Sequence, residues 1–229
     1  MEAGAHNAII RLFHVHKYYR SQKALVDITL DIFKNDFLFI SGPSGAGKST
    51  LLKLLYLGEP ASEGHILVDG VNLSRIPKRR IPTLRRKFGI IFQDYKLIST
   101  RSVFDNVALV LDVKGKYKTG MIHKKVKSVL RTVGMENRMN AFPPSLSGGE
   151  QQRVAVARAV VGNPEIILAD EPTGNLDPDS ADTIIELLND FHSKGATLVV
   201  ATHDYYLLKR SNARIINLKQ GRLLTLLET

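Results

Sequence analysis

The chain contains no cysteine and no tryptophan, and only 7% of its 229 residues are aromatic. Without cysteine there is no disulfide framework, no thiolate zinc site and no cysteine nucleophile. That agrees with a reducing compartment. No apolar run approaches the roughly 20 residues that cross a bilayer as a helix. The longest, such as the run from Val107 to Leu111, have the length of a strand or a short helix. The opening stretch MEAGAHNAIIRLFHV lacks the basic start, apolar segment and small-residue cleavage site of a signal peptide. Internal repeats, low-complexity tracts and long linkers are also missing. The expectation is a soluble protein of the cytoplasm, with no role assigned to residues 1–8.

What is present is an apolar fraction of 44%, enough for a sizeable core, and a formal net charge of +10. Much of that charge sits in two places. One joins Lys78, Arg79 and Arg80 to Arg85, Arg86 and Lys87; the other runs from Lys114 to Lys127 and includes Lys116, Lys118, Lys124 and Lys125. Solvated helix and loop surface, anionic lipid beside a membrane partner, and nucleic-acid phosphate each account for such stretches. Charge alone does not choose among them.

Ile9 to Val15 and Leu25 to Ile32 read as strands, and the alternation Ile28, Leu30, Ile32 marks a half-buried sheet. Phe37 to Ile40 is a short continuous apolar run of the kind that fills a buried parallel sheet. A glycine-rich turn and a helix carrying Leu51, Leu52, Leu54 and Leu55 follow it. His65 to Val68 and Ile90 to Phe92 read as further strands. The pattern is mainly helical from about Asp94 to Gly162, then returns to strands at Glu165 to Ala169, Thr197 to Ala201 and Arg214 to Leu218. Asp177 and Pro178 read as the cap and first turn of a helix. Strands alternating with helices on both sides of a helical insertion imply an α/β fold with a mostly parallel sheet. The expectation is one domain over 1–229, with a core at 9–93 and 163–229 and a helical subdomain at about 94–162.

The segment Gly42, Pro43, Ser44, Gly45, Ala46, Gly47, Lys48, Ser49 matches G-x-x-x-x-G-K-[ST], and Thr50 follows it. Its glycines let the backbone curl so that successive N–H groups point inward at phosphate oxygens, and the helix behind offers its positive end to the same anion. Lys48 suits the β- and γ-phosphates of ATP, and the Ser49 hydroxyl suits Mg²⁺. Further on, Ile166 to Glu171 places two carboxylates after a buried strand, the end at which open α/β sheets bind ligands. Asp170 suits Mg²⁺ through water, and Glu171 can take a proton from an attacking water.

Leu146-Ser-Gly-Gly-Glu-Gln-Gln-Arg153 resembles the LSGGQ-type signature of ABC ATPases. Ser147, Gly148 and Gly149 stand before a helix expected to begin near Glu150 and form a second anion site. The resemblance implies a P-loop ABC ATPase fold: a RecA-like, mostly parallel core, an antiparallel β subdomain and an inserted helical subdomain. It also implies an ATP-dependent, head-to-tail homodimer in which this second site serves the γ-phosphate held by the other subunit. By the same resemblance, Tyr19 stacks on adenine, with Tyr18 as the alternative. Gln93 is the Q-loop glutamine that contacts Mg²⁺ or water, Asp177 belongs to the D-loop at the dimer interface, and His203 is the switch histidine. Catalysis would rest on Glu171, His203, Gln93 and Lys48, and Mg²⁺ on Ser49, Gln93 and Asp170.

Within ABC ATPases the chain is similar to the FtsE family of bacterial cell division. The similarity is carried by Ser44 to Leu55, Ile91 to Asp94, Arg101 to Ala108, Leu146 to Arg153 with Ala157 to Val161, and Leu168 to Asp177. It implies an integral membrane partner resembling FtsX, control of cell-wall hydrolases, and a place on the cytoplasmic face of the plasma membrane. The run from Glu171 to Asp177 is shared with lipoprotein-release and macrolide-export ATPases, which stand as the first alternative. A soluble ABC ATPase working on DNA or ribosomes is the second. Such proteins carry a coiled-coil or zinc-finger insertion, or two ATPase halves in one chain; none is visible here, which counts against nucleic acid as a partner.

Overall fold

A computed structural model describes residues 8–115, 117–210 and 213–224. Lys116 of the basic stretch and the first seven residues lie outside the described residues. In chain order the elements begin with strands β1 (Ala8–Tyr19), β2 (Gln22–Phe33) and β3 (Phe37–Ser41), helix α1 (Lys48–Leu55), and strands β4 (Glu63–Val68) and β5 (Val71–Asn72). Helix α2 (Ile81–Arg85), strand β6 (Phe88–Ile91), helices α3 (Val103–Lys114), α4 (Thr119–Thr132) and α5 (Gly148–Val160), and strand β7 (Ile166–Asp170) follow. Helix α6 (Pro178–Ser193), strand β8 (Thr197–Thr202), helix α7 (Tyr205–Arg210) and strands β9 (Arg214–Lys219) and β10 (Arg222–Leu224) complete the order. The chain divides into two compact units. One holds the described residues up to Arg85 and those from Thr197 onward; the other is Arg86–Ala196.

In the first unit, β1, β2, β4 and β5 form an antiparallel sheet in the order β2-β1-β4-β5. Ile28, Leu30 and Ile32 are all buried, as alternation predicts. The β1–β2 register shifts between Leu12 and Val15, where His14 takes a φ of 47°. That extra residue is a bulge, the local device that bends a strand and increases its twist. The second sheet of this unit runs β3 with β8 on one side and β9 on the other, all parallel, and β10 antiparallel to β9. Leu38, Phe39 and Ile40 are buried, and so is every residue of β8. Strands covered on both faces carry continuous apolar runs, which is how these two read.

Strand β10 is not anticipated by the sequence reading. Gln220 and Gly221 both have positive φ, 48° and 74°, the backbone of a two-residue type I′ hairpin turn. Asn-Gly or Asp-Gly would have signalled that turn; Gln-Gly does so weakly.

In the second unit β6 pairs in parallel with β7, beginning at Phe88↔Ile166 and ending at Ile91↔Ala169. The strand expected at Ile90 to Phe92 therefore starts two residues earlier, because Phe88 is itself buried in the ladder. Helix α5 packs on β6 and on α3, α4 and α6. Val103, Val107 and Leu111 line the buried stripe of α3 at helical spacing, and Val126 and Leu130 do the same for α4. Each such side chain contributes roughly 1.5–3 kcal/mol by leaving water. Ser102 caps α3 by accepting from the Asp105 N–H at 3.1 Å, and Gly115 ends it in the left-handed region. The compact unit is thus larger than the helical segment 94–162, since β6, β7 and α6 cluster with α3, α4 and α5.

A buried side chain organises the segment before α3. Asn106 is fully buried; its Nδ2 donates to the carbonyls of Ile98, Arg101 and Ser102 at 3.0, 3.0 and 2.9 Å, and its Oδ1 accepts from the Ile98 N–H at 2.7 Å. Asn106→Ala removes all four of these bonds from the loop, leaves a void at a fully buried position and is expected to lower unfolding stability by about 2–4 kcal/mol. Chemical denaturation measures this. A loss within ~0.5 kcal/mol, the range of ordinary surface changes, would show that the loop needs no such organiser.

Candidate nucleotide-binding and catalytic site

In the first unit, the glycine-rich loop joins the end of β3 to α1. Gly47 caps α1 without a side-chain hydrogen bond, so the first-turn N–H groups face the loop as donors. Gly42 has a φ of 154°, and a Cβ there would lie 2.1 Å from the Leu218 carbonyl oxygen. Only glycine lets β9 run that close beneath the loop. The floor is pinned further where the Gly221 N–H donates to the Ala46 carbonyl at 3.0 Å. Lys48 is buried, and its Nζ donates to the carbonyls of Gly42 at 2.7 Å and Pro43 at 3.2 Å. The cation is thereby held over the loop. Ser49 and Thr50 are half-buried in the first turn of α1, while Pro43, Ser44 and Gly45 are exposed at its rim.

Two further expected residues belong to this unit. Ser41 pairs with Thr202 in the β3–β8 register, so the strand leading to the phosphate loop and the strand leading to His203 end side by side. His203 is exposed, and the turn after it is closed by the Asp204 N–H donating to Thr202 Oγ1 at 3.0 Å. Tyr19 ends β1 partly exposed, and its hydroxyl bonds Glu59 and Thr50. Burial and then the Glu59 bond raise the phenol above its ordinary value, so it stays neutral. Glu59 also pairs with Lys17 at 3.3 Å and Lys53 at 3.5 Å. The hydrogen bond from Tyr19 and those lysines hold its carboxyl below the ordinary range. The tyrosine ring is thus anchored beside the first turn of α1.

In the second unit, the parallel β6–β7 ladder ends at Ile91↔Ala169, so Gln93 and the pair Asp170–Glu171 emerge at one end. Gln93 is exposed, Asp170 half-buried and Glu171 buried. Glu171 has a φ of 46°, a left-handed backbone that costs a non-glycine residue on the order of 1–2 kcal/mol. Such strain persists only where neighbours hold it, and it gathers at functional sites. The loop after it is folded by Gly174 N–H to Glu171 carbonyl at 3.2 Å and Leu176 N–H to Thr173 carbonyl at 3.1 Å. Asp177 then caps α6, with its Oδ1 accepting from the Ser180 N–H at 2.9 Å. The Ser180 hydroxyl and amide hold that carboxyl below its ordinary value.

The signature helix starts two residues earlier than expected. Ser147 is the cap and Gly148 the first helical residue of α5, through a reciprocal box: Ser147 Oγ accepts from the Glu150 N–H at 3.2 Å, and Glu150 Oε2 accepts from the Ser147 N–H at 2.9 Å. The Ser147 amide is engaged by Glu150, so the backbone donors are those of Gly148 and Gly149, which have no intrahelical acceptor at a helix start. The Ser147 hydroxyl, an acceptor in the box, still carries a hydrogen to donate. A Cβ at Gly149 would stand 2.5 Å from Ser180 Oγ, so the starts of α5 and α6 abut at van der Waals limits.

The sequence reading assigned no role to Arg158 or Glu59. Arg158 is half-buried on α5, and its guanidinium donates to the carbonyls of Tyr95, at 2.6 Å, and Lys96. Burial lowers its basicity. Tyr95 and Lys96 both have positive φ, 58° and 51°. A charged fork thus holds the strained exit of the Gln93 loop against α5. An arginine in a helical run carries no local sign of this task.

Mg²⁺ takes oxygen donors and is commonly held by one or two protein groups plus substrate phosphates. The hydroxyl of Ser49 in the first unit, and the carboxylate of Asp170 and the amide oxygen of Gln93 in the second, are each donors of that kind.

A phosphate loop behind a buried strand, carboxylates at a parallel strand end and a capped glycine helix start define an ABC-type ATP-binding cassette. The ABC transporter family matches residues 25–174. The chain is 44% identical over 217 residues to the cell division ATP-binding protein FtsE of Mycobacterium tuberculosis, covering 94% of each. It is 44% identical over 216 residues to FtsE of Escherichia coli, covering 94% of this chain and 97% of that one. A dimeric bacterial ABC transporter cassette superimposes with a TM-score of 0.88 at 36% identity, covering 94% of this chain and 97% of that one. A dimeric post-hydrolysis cassette bound to ADP and Pi gives the same values. The chain belongs to the ABC transporter family and, within it, to the FtsE family of cell division ATP-binding proteins.

Gly149→Ala forces the methyl against Ser180. Overpacking of this kind costs typically about 1–3 kcal/mol. Denaturation of Gly149→Ala should show that loss, and Gly149→Ala with Ser180→Ala should recover most of it. Equal stability of the single variant and the wild type would mean the helix starts separate freely.

Proposed function

We propose that the chain is the ATP-hydrolysing subunit of an FtsEX-like complex, a homodimer on the cytoplasmic face of the membrane that drives a partner resembling FtsX. The observation that carries the dimer is the presence of two anion cradles in one chain. One nucleotide occupies the phosphate loop, so the start of α5 is left to serve the γ-phosphate of the nucleotide on a second copy, head to tail. Dimeric relatives of the same fold support this. Among the described residues no helix is long and apolar enough to cross a membrane. We read residues 94–162 as the helical subdomain that meets the partner, because Gln93 leads directly into it. The cell-division role rests on the FtsE relatives.

Residue roles follow the chemistry. Loop amides from Gly42 to Thr50, Pro43 excepted because it has no N–H, and the Lys48 ammonium hold the phosphates, and Tyr19 stacks on adenine. Ser49, Asp170 and Gln93 hold Mg²⁺, which when bound neutralises phosphate charge. Glu171 accepts a proton from water oriented by His203. The water oxygen bonds to the γ-phosphorus as the bond to the β–γ bridging oxygen breaks, and ADP leaves with that electron pair. Asp177 contributes from the dimer face. Loss of the γ-phosphate removes the bridge to Ser147, Gly148 and Gly149 of the other copy, and the dimer opens. ATP shifts the closed state only as far as it binds that state better.

A second reading has its own support. From Val113 to Arg131 the sequence has no acidic residue, and Lys118, Lys124 and Lys127 are exposed. A soluble ATPase acting on nucleic acid would use such a face, and its binding would weaken steeply with salt.

Glu171→Gln should bind ATP, hydrolyse it at no more than about 1% of the wild-type rate and accumulate as a dimer. Capture of this variant from native membranes with ATP present should bring down an FtsX-like protein. A lipoprotein-release or export permease instead would move the chain to another transport role. Recovery of nucleic acid or ribosomes alone would end the membrane reading.

A further inference from the structure

Gln152 lies on α5, five residues beyond Ser147, and is only 1% exposed. Its Nε2 donates to the Pro172 carbonyl at 2.6 Å. Its Oε1 is buried without a hydrogen-bond partner. A carbonyl only accepts, so the amide is oriented with nitrogen toward Pro172, which leaves the oxygen as the unpartnered end. Burying an unsatisfied amide oxygen costs stability that a thioether or alkyl side chain of the same volume would not cost. Among the described residues, the tether to Pro172 is the one favourable polar contact of this side chain.

Pro172 follows Glu171, whose backbone is in the left-handed region. The proline ring locks its own φ, so little rotational freedom separates the pinned carbonyl from the Cα of Glu171. Fixing that carbonyl fixes the direction from which the Glu171 carboxylate leaves the backbone. The same helix begins at Gly148, within about one turn of Gln152. Any displacement of the helix start reaches Pro172 through the tether.

We propose that Gln152 is a positioning residue for Glu171, and that it makes the catalytic carboxylate of each copy responsive to what its own signature helix binds. The inference rests on the reading of Glu171 as the base. Catalysis responds to misplacement of a group by less than an ångström, whereas nucleotide binding, carried by the phosphate loop, does not use this contact.

Gln152→Met keeps the volume and removes both the tether and the orphan oxygen. Loss of the orphan oxygen offsets the Pro172 carbonyl left unpaired, so its melting temperature should stay within a few degrees of the wild type, while kcat for ATP falls at least about tenfold and KM stays within about twofold. In Gln152→Glu an ionised carboxylate repels the Pro172 carbonyl, and the protonated acid can donate to it. Burial raises a carboxyl pKa, so the ratio of variant to wild-type kcat should climb as pH is lowered from about 8.5 to about 6.5. Normal kcat for Gln152→Met, beside an inactive Glu171→Gln, would overturn the tether and leave the base in place. Brisk turnover by Glu171→Gln would overturn both. A Gln152→Met chain that melts lower and also loses ATP affinity would make Gln152 a packing residue.

Discussion

Parallel strands carry their following loops out at the same edge, and most of this molecule's chemistry depends on that constraint. Ser41 beside Thr202 sets the phosphate loop next to the His203 turn, and Ile91 beside Ala169 sets Gln93 next to Asp170 and Glu171. Neither pair is close in sequence. A one-residue slip in either ladder would turn every buried side chain of the strand to the opposite face, so the apolar runs that fill the sheet also hold the loops in register.

Helix α5 ties the strained parts of the second unit together. Glu171, Tyr95 and Lys96 all hold left-handed backbones without being glycine. Their cost is offset by neighbours that leave no alternative: the Arg158 fork on the carbonyls of Tyr95 and Lys96, and the turn that closes on the Glu171 carbonyl. The start of the same helix is fastened by its capping box and packed against Ser180. A rigid helix with contacts at its start, middle and end moves as one body, which suits it to join loops that must change state together.

The chain's positive charge and its anion-binding chemistry are separate features. The candidate phosphate sites are made of backbone N–H groups and helix starts, with Lys48 as the buried cation over the loop. The basic stretch on α4 lies elsewhere in the sequence, with Lys124 and Lys127 exposed. Net charge of +10 therefore describes the surface the molecule presents, while the selectivity for a polyphosphate comes from amide geometry.

Local chemistry determined much of this protein by itself. The phosphate loop, the carboxylates after a buried strand and the glycines before a helix are legible because each needs particular residue types at fixed spacing, and that spacing is set by neighbouring peptides. Alternation at Ile28, Leu30 and Ile32 and the apolar run at Phe37 to Ile40 were legible for the same reason. Tertiary structure alone decided the rest. The start of α5 at Gly148 is not among these: the Ser147–Glu150 box spans three residues and is a local signal. Strand β10 needed a partner in β9, and the roles of Arg158, Glu59 and Gln152 exist only where distant carbonyls and hydroxyls arrive within hydrogen-bond reach. Sequence spacing encodes contacts a turn or two apart; a hydrogen bond across twenty or sixty residues depends on where the whole chain has folded.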